Sequence, residues 1–513
     1  MSPLYSLPTE LLEKILLTAD LQTIARCQQV STLFREVICK STSITYRIEL
    51  AINGCYDGNA GGWTIVQRLE ALRNRRKAYI TMNPTARRVV KGRHLPWRKM
   101  ISGYFTWTDL EGRLHILQVP SVFRGIPEEE WVIDGSIVDT VHAIDLYIDP
   151  DENLLVILER KTRYDWQVSI RSFRTGEPHP EARLSELPIN IKVSSWDIFG
   201  GGVMTYGDYV GAHTQGGLKQ FVLLNWRTGQ TILHIKSRHA FCYAFLSDRY
   251  LLIPHACADP DPNNVILSLI DLTKAPLNGG KESNLVELPT VTILQFELPF
   301  MCNETLLRLE TTQCPPRHRR KQRVPFSPGG DDLIALTFRY NTEEQPLSTL
   351  LFPISRLLKW VGDDAPPGVL NTSICWNCWG SEGSRLLADT SLDFVNGMMA
   401  LLGGSRWIED LDAPLYLYDF GEVGARKHLA EVDQGVAPRD VQYDAQSIYQ
   451  RANAPPIVTS LPARRMKVPN GIANRENGRI LSVVVDDDCI VSTYSYGNDQ
   501  SDILVNEYHI WSF

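Results

Sequence analysis

The chain has 513 residues, 43% hydrophobic and 22% charged, with a net charge of −7. This is the balance of an ordinary globular protein, long enough for about two to four domains or for one small domain joined to a large repeat array. No apolar run approaches the ~18 residues of a membrane span, and the opening MSPLYSLPTE lacks the basic and apolar regions of a secretory signal, so no membrane association is expected. Ten cysteines, Cys27, Cys39, Cys242, Cys302 and Cys489 among them, follow no paired framework. That usage predicts reduced thiols and a cytoplasmic or nuclear protein, and makes the glycosylation triplets at Asn303 and Asn371 chance matches.

The stretch Leu7–Ile52 predicts four short helices. Leu7-Pro8 opens the first, with proline at the first helical position, and Leu11, Leu12, Ile15, Leu16 and Ala19 recur at helical spacing. Asp20 caps a second helix carrying Leu21, Ile24, Ala25, Cys27 and Val30, and Ser31 a third carrying Leu33, Phe34, Val37 and Ile38. A fourth runs through Ile44, Ile48, Ala51 and Ile52 to a stop at Gly54. So small a unit cannot bury all these side chains. On each of the first two helices they form two adjacent rows, one for the interior and one left over. A leftover apolar stripe predicts a partner surface.

The order Leu7-Pro8, Glu10, Ile15-Leu16, Leu21, Ile24, Cys27, Val30, Phe34, Ile38 resembles an F-box, the helical module that binds the Skp-type adaptor of cullin–RING ubiquitin ligases. The resemblance covers about the first tenth of the chain. It departs from the common pattern after Val30, where Ser31-Thr32 and Phe34 replace Cys-Lys and tryptophan. It implies an adaptor-binding set of Leu7, Pro8, Leu11, Ile15, Leu16, Leu21, Ile24, Cys27, Val30 and Phe34. It also implies a receptor that tethers an unidentified target protein to the ligase and does no bond chemistry itself. A protein-interaction scaffold without a ligase role is the alternative.

Gly58–Gly62 reads as a joint, and residues 63–80 as an amphipathic helix ending before Pro84, with Trp63, Val66, Leu69 and Leu72 on one face. Residues 68–99 carry eleven Arg/Lys against the single Glu70, a net of +10 on an otherwise acidic chain. A basic face paired with the acidic body is commoner than one that binds nucleic acid, so nucleic acid is not expected as a partner. The helix is expected to hold the N-terminal unit at a set angle.

From Tyr104 short runs rich in β-branched and aromatic residues alternate with turn residues. The pattern repeats: aromatic-Arg-Thr-Gly closes a hairpin at Phe173–Gly176 and again, 53 residues on, at Trp226–Gly229. Weaker echoes start near Tyr250, Asp332, Met398 and Cys489. An array of hairpins that cannot bury both faces alone predicts a β-propeller of six or seven blades, lacking regular Trp-Asp signatures because Trp196-Asp197 is isolated. Stacked β-sandwiches are the alternative. The expected division is a helical module at 1–55, a basic linker at 56–100 and an all-β body at 101–513, interrupted by long insertions at 275–330, 361–373 and 433–478. Helices are expected to be nearly absent after residue 85.

No catalytic or cofactor motif emerges. Cys375-Trp376-Asn377-Cys378 lacks a second ligand pair for zinc and reads as two buried or half-buried cysteines. Asp486-Asp487-Asp488 reads as a hairpin turn, Arg317–Arg323 as a disordered basic loop, and Gly279-Gly280-Lys281 lacks the leading glycine of a phosphate loop. No metal or cofactor is expected.

Overall fold

The computed structural model describes residues 7–59, 62–92, 94–134, 137–138, 142–162, 165–190, 201–214, 219–237, 242–256, 264–273, 283–284, 292–301, 308–311, 323–329, 331–339, 347–361, 372–390, 402–409, 415–433, 441–451, 454–472, 479–496 and 505–513. Trp196-Asp197, the Gly279–Lys281 run, Asn303, Asn371 and most of the basic run 317–323 lie outside these residues.

Four helices open the chain: α1 (Thr9–Thr18), α2 (Leu21–Val30), α3 (Thr32–Lys40) and α4 (Thr42–Ile52). Their starts follow from local chemistry. Asp20 accepts from the Thr23 N–H at 2.7 Å, Ser31 from Phe34 at 3.4 Å and Ser41 from Ile44 at 3.1 Å, each satisfying an orphan donor of a first turn. Pro8 stands at the N-cap of α1, not inside it as expected; its extended ψ of 148° precedes the helix, and its carbonyl takes the first helical bonds from Leu11 and Leu12. Asn53 and Gly54, the latter at φ 58°, end α4.

A three-residue strand, β1 (Cys55–Asp57), leads to α5 (Ile65–Ile80), which a Thr64/Gln67 capping box starts. The next strand, β2 (Ala86–Gly92), already belongs to the β body, which therefore begins before residue 101.

Seven sheets of four or five strands form among the described residues. Blade one holds His94–Ile101, Tyr104–Asp109, Leu114–Gln118 and Glu129–Ile133, and blade two Ala143–Asp149, Leu154–Arg160, Asp165–Ser172 and Glu186–Asn190. Blade three holds Gly201–Tyr206, Tyr209–Thr214, Lys219–Asn225 and Gln230–Ser237. Blade four holds Ala244–Phe245, Tyr250–Ala256, Asn264–Asp271 and Thr292–Met301, and blade five Arg308–Thr311, Leu333–Arg339, Leu347–Pro353 and Arg385–Thr390. Blade six holds Leu402–Gly403, Arg406–Glu409, Tyr416–Asp419 and Ala463–Lys467. Blade seven joins Arg479–Val485, Cys489–Tyr496 and Val505–Ser512 to β2, with Ala86 opposite Ser512 and Gly92 opposite Asn506. A strand from near the start of the chain thus completes the last sheet.

The buried clusters close the ring. Ile116, Val156 and Val222 join blades one to three; Phe221 and Leu251 join three to four; Leu267 and Leu336 join four to five. Leu351 and Trp407 join five to six, Ile408 and Val483 six to seven, and Tyr508 and Phe105 seven back to one. Each sheet covers its neighbour's apolar face, which a pair of sandwiches would not do in a closed series. The architecture is a seven-bladed propeller behind a helical module.

The sequence repeat is a repeated turn. Gly176 and Gly229 both sit at φ 75°, where a Cβ is strained, and both donate to the residue four back, Ser172 and Asn225, at 2.8 Å. Their partners Phe173 and Trp226 are both buried in the blade core.

The expectation of a nearly helix-free body needs correction. A twelve-residue helix, Glu422–Asp433, lies between blade-six strands and packs on α4 and on Ala463–Lys467. Gly424 allows this approach, because a Cβ there would stand 2.7 Å from the Ile52 carbonyl oxygen.

Candidate docking face and its mount

In α1, Leu12 and Leu16 point inward while Leu11 and Ile15, one turn apart on the other row, are 44% and 47% exposed. Leu12, Leu16, Ile24, Val37, Ile38 and Ile44 make the module's own core. Leu7, Leu21, Cys27 and Phe34 pack half-buried around it, whereas Pro8 is exposed and Val30, at the end of α2, is 79% exposed. Of the ten residues in the predicted set, Leu16 and Ile24 are therefore withdrawn into the core, where they join α1 to α2 and α3. Leu11 and Ile15 share a face, with Pro8 just ahead of them. Polar ties hold the helices in place: Ser41 Oγ donates to Glu13 at 2.5 Å, Arg47 to the Leu17 carbonyl at 2.5 Å, and Arg35 to the Gln28 carbonyl at 3.1 Å.

The module is mounted on the propeller through α4, β1 and α5. β1 pairs antiparallel with Phe326–Pro328, a strand supplied by the insertion at 275–330. Tyr46 of α4 donates to the Pro325 carbonyl and also reaches Asp57, both at 2.9 Å, and burial with that carboxylate pushes its hydroxyl well above the usual range. Tyr46, Leu50, Leu69, Leu72 and Phe326 form one buried cluster. Glu49, buried in α4, faces Arg73 at 3.6 Å, Arg76 at 3.7 Å and Lys427 at 3.5 Å, which ties three helices together.

The centre of the mount is the Asp486–Asp488 turn, which joins the first two strands of blade seven as expected and also carries a role that sequence reading missed. Arg75, 2% exposed near the middle of α5, donates from Nε to Asp488 at 2.8 Å and from Nη2 to the Asp487 carbonyl at 2.6 Å. Arg124 of blade one donates to the other Asp488 oxygen at 2.5 Å. Burial works against the Asp488 charge, but the Arg124 and Arg75 guanidiniums override it and hold the carboxyl down at about 2. The Asp487 carbonyl also accepts from Tyr79 at 2.7 Å and Arg406 at 3.0 Å, and Tyr79 stacks on Phe513 at 4.4 Å. Asp486 behaves oppositely: burial, reinforced by Asp487, pushes its carboxyl up, and it accepts the Gly103 N–H at 2.7 Å.

Carboxylate contacts account for seven of the eleven cationic residues in the basic segment. Arg68, Arg73, Arg75, Arg76, Arg88, Lys91 and Lys99 all pair with carboxylates, Asp57, Glu49, Asp488, Glu431, Glu130, Glu507 and Asp145 among them. Val66, predicted on the apolar face of α5, is instead 61% exposed, because the first turn of the helix projects past the cluster that buries Leu69 and Leu72.

Elsewhere, no group of three or more His, Cys, Asp or Glu among the described residues is placed to hold a metal ion. No described helix is long and apolar enough to cross a membrane. Cys375 and Cys378 are not buried as expected; both are exposed, Cys375 as the N-cap of the short helix Trp376–Trp379 and Cys378 within it, with their sulfurs 2.8 Å apart.

Residues 4–50 match the family model described as F-box-like. No curated protein matches the chain. Solved structures similar to it include the C-terminal WD40 domain of Sif2, at 10% identity over 82% of this chain and 96% of that one with a TM-score of 0.35. The WD40 domain of coronin from Toxoplasma gondii gives 9% identity over 84% and 87%, TM-score 0.34. The WD40 domain of SCAP from fission yeast gives 9% over 83% and 94%, TM-score 0.30. The seven blades follow from the strand pairing itself. The chain carries an F-box-like module ahead of a β-propeller.

Proposed function

We propose that this chain is the substrate receptor of an SCF-type ubiquitin ligase. Its first three helices dock on a Skp-type adaptor, the adaptor links it to a cullin–RING assembly, and the propeller holds a target protein. One observation supports the reading: an F-box-like match over residues 4–50 coincides with an apolar row, Leu11 and Ile15, that remains about half exposed. Covering a leucine or isoleucine contributes about 1.5–3 kcal/mol before ordering costs. Leu11, Ile15, Pro8 and Val30 would supply the contact directly, with Leu7, Leu21, Cys27 and Phe34 at its margin and Leu16 and Ile24 supporting it from within. The role is non-catalytic, since holding a target beside the ligase raises the local concentration of acceptor lysines without any chemistry on this chain. Such a receptor works in the cytoplasm or nucleus.

The test is co-purification of the full chain with the adaptor. Leu11→Ala combined with Ile15→Ala is expected to reduce adaptor recovery at least tenfold while leaving the melting profile unchanged. Undiminished binding overturns the proposed face. Adaptor binding without recruitment of a cullin would favour the non-ligase scaffold.

A further inference from the structure

Cys375 and Cys378 lie away from the mount, at the outer edge of blade four. Thr372–Ile374 pairs parallel with Thr292–Met301, the last strand of that blade, and delivers Cys375 to the start of the short helix. The helix is seated by Trp379, which is buried, donates its indole N–H to the Glu297 carbonyl at 2.9 Å, and meets Phe296 and Phe352 edge-on at 5.6 and 5.4 Å. The backbone turn is closed by the Cys378 N–H on the Cys375 carbonyl at 3.0 Å. A packed tryptophan thus fixes a turn that presents two solvent-exposed sulfurs to each other at 2.8 Å. A small χ1 adjustment brings them to the ~2.05 Å of a disulfide.

Two chemistries suit a vicinal dithiol. Metal binding needs further ligands, and none is grouped here among the described residues; the Glu297 carboxylate nearby already accepts from Ser373 at 2.8 Å. Thiol–disulfide exchange needs only the pair and exposure. Both are present, and the contact with Cys375 pushes the Cys378 thiol up, which suits Cys378 to the second, resolving attack.

We propose that Cys375 and Cys378 form a reversible redox site that a low-molecular-weight disulfide such as glutathione disulfide closes to an intramolecular disulfide. The Cys375 thiolate attacks one glutathione sulfur, forming a mixed disulfide as the glutathione S–S bond breaks and one glutathione thiolate leaves. Cys378, deprotonated, then attacks the Cys375 sulfur, forming the protein disulfide and expelling the second glutathione. The two cysteine protons pass to the two glutathione thiolates. The protein pair loses two electrons and glutathione disulfide gains them. The closed form clamps the turn that seats Trp379 between blades four and five.

The test uses the full chain equilibrated in glutathione buffers from fully reducing to strongly oxidising, quenched in acid. Free thiols are blocked with iodoacetamide, disulfides then reduced and labelled with N-ethylmaleimide, and labels located by peptide mapping. The 375–378 peptide is expected to switch as a unit from two carbamidomethyl groups to two maleimide labels, with an internal disulfide in the unreduced digest. Exposed Cys39 is expected to lag at least tenfold in oxidant concentration. Cys378→Ser is expected to trap a glutathione adduct on Cys375. Two free thiols in excess glutathione disulfide, two separate glutathione adducts, or oxidation in step with Cys39 would each overturn the proposal, and none depends on a variant folding.

Discussion

Replacing Asp488 with alanine removes the carboxylate that Arg75 and Arg124 share at 2.8 and 2.5 Å. Each bond is charge-assisted and contributes about 1.5–3 kcal/mol. The deleted carboxylate no longer has to be desolvated, which offsets part of the loss. Both arginines stay out of water at 2% and 8% exposure, and among the described residues Arg75 keeps the Asp487 carbonyl as its remaining strong acceptor. Breaking a buried pair from one side costs about 3–5 kcal/mol, and one carboxylate serving two cations puts Asp488→Ala in the upper half of that range. In a chain of several units a single unfolding energy is poorly defined, so the assay is hydrogen exchange of the α5 amides, which reads local opening. At about 1.4 kcal/mol per decade, α5 exchange is expected to accelerate by roughly three to three and a half orders of magnitude, with blades two to four unchanged. Asp488→Asn, which retains an acceptor, is expected to fall between wild type and alanine. Acceleration of less than tenfold in the alanine variant would refute the claim that this carboxylate holds α5 to the propeller.

In the helical module, Leu16→Ala is expected to cost about 2–5 kcal/mol because it opens a cavity in the core, whereas Ile15→Ala stays within about 0.5 kcal/mol; urea unfolding followed by hydrogen exchange of α1 to α3 separates the two. Phe513→Ala, which deletes a fully buried ring stacked on Tyr79, is expected to cost about 3–5 kcal/mol and to loosen α5 and blade seven together, seen as parallel loss of exchange protection. Acid should act through Asp488 as well. Its folded carboxyl titrates at about 2 against 3.8 for the free group, so its stabilisation of about 2 kcal/mol is complete above pH ~4 and is lost as pH falls toward 2. Protection of α5 should decline across that window in wild type and be flatter in Asp488→Asn.

What could be read from the sequence was what is local. The caps Asp20 and Ser31 act on backbone three residues away, so their residue types announce the helix starts; Ser41 caps α4 in the same way but is not among the caps expected from the sequence. The Phe173–Gly176 and Trp226–Gly229 turns are legible for the same reason, since each requires a glycine four residues after its hydrogen-bond acceptor. The echoes that suggested a propeller fall on the second and third strands of each blade. First strands such as Ala244–Phe245 and Leu402–Gly403 are two residues long and carry no period. The pairing of Ala86 with Ser512, and of Arg75 with Asp488, spans most of the chain, so nothing near either member betrays it. Cys375 and Cys378 misled because burial was inferred from strand-like surroundings, while the structure places them on a helical turn whose only buried anchor is Trp379. The helix Glu422–Asp433 was missed although Ala425 and His428, both buried, and the Glu422–Arg426 pair lie at helical spacing; its short run is embedded in strand-like sequence.

The position of α5 joins the two halves of the molecule in one cooperative arrangement. Its residues touch blade one at the Val122–Arg124 turn, blade seven through Asp487 and Asp488, and blade six through Arg406, whose guanidinium lies 3.8 Å from the centre of the Tyr79 ring. A few residues later the same chain becomes β2, the strand that completes blade seven. The connector therefore covers the seam where the propeller closes and also supplies the strand that closes it. A propeller opened between blades seven and one would release α5, and with α5 the support beneath Tyr46, Leu50 and Glu49 of α4. For the proposed receptor the consequence is geometric: the helical face that meets the adaptor keeps a fixed direction relative to the blades only while the ring is shut. A longer flexible linker would bind the adaptor equally well but would lose that direction, and with it the ability to present a held target at a set distance.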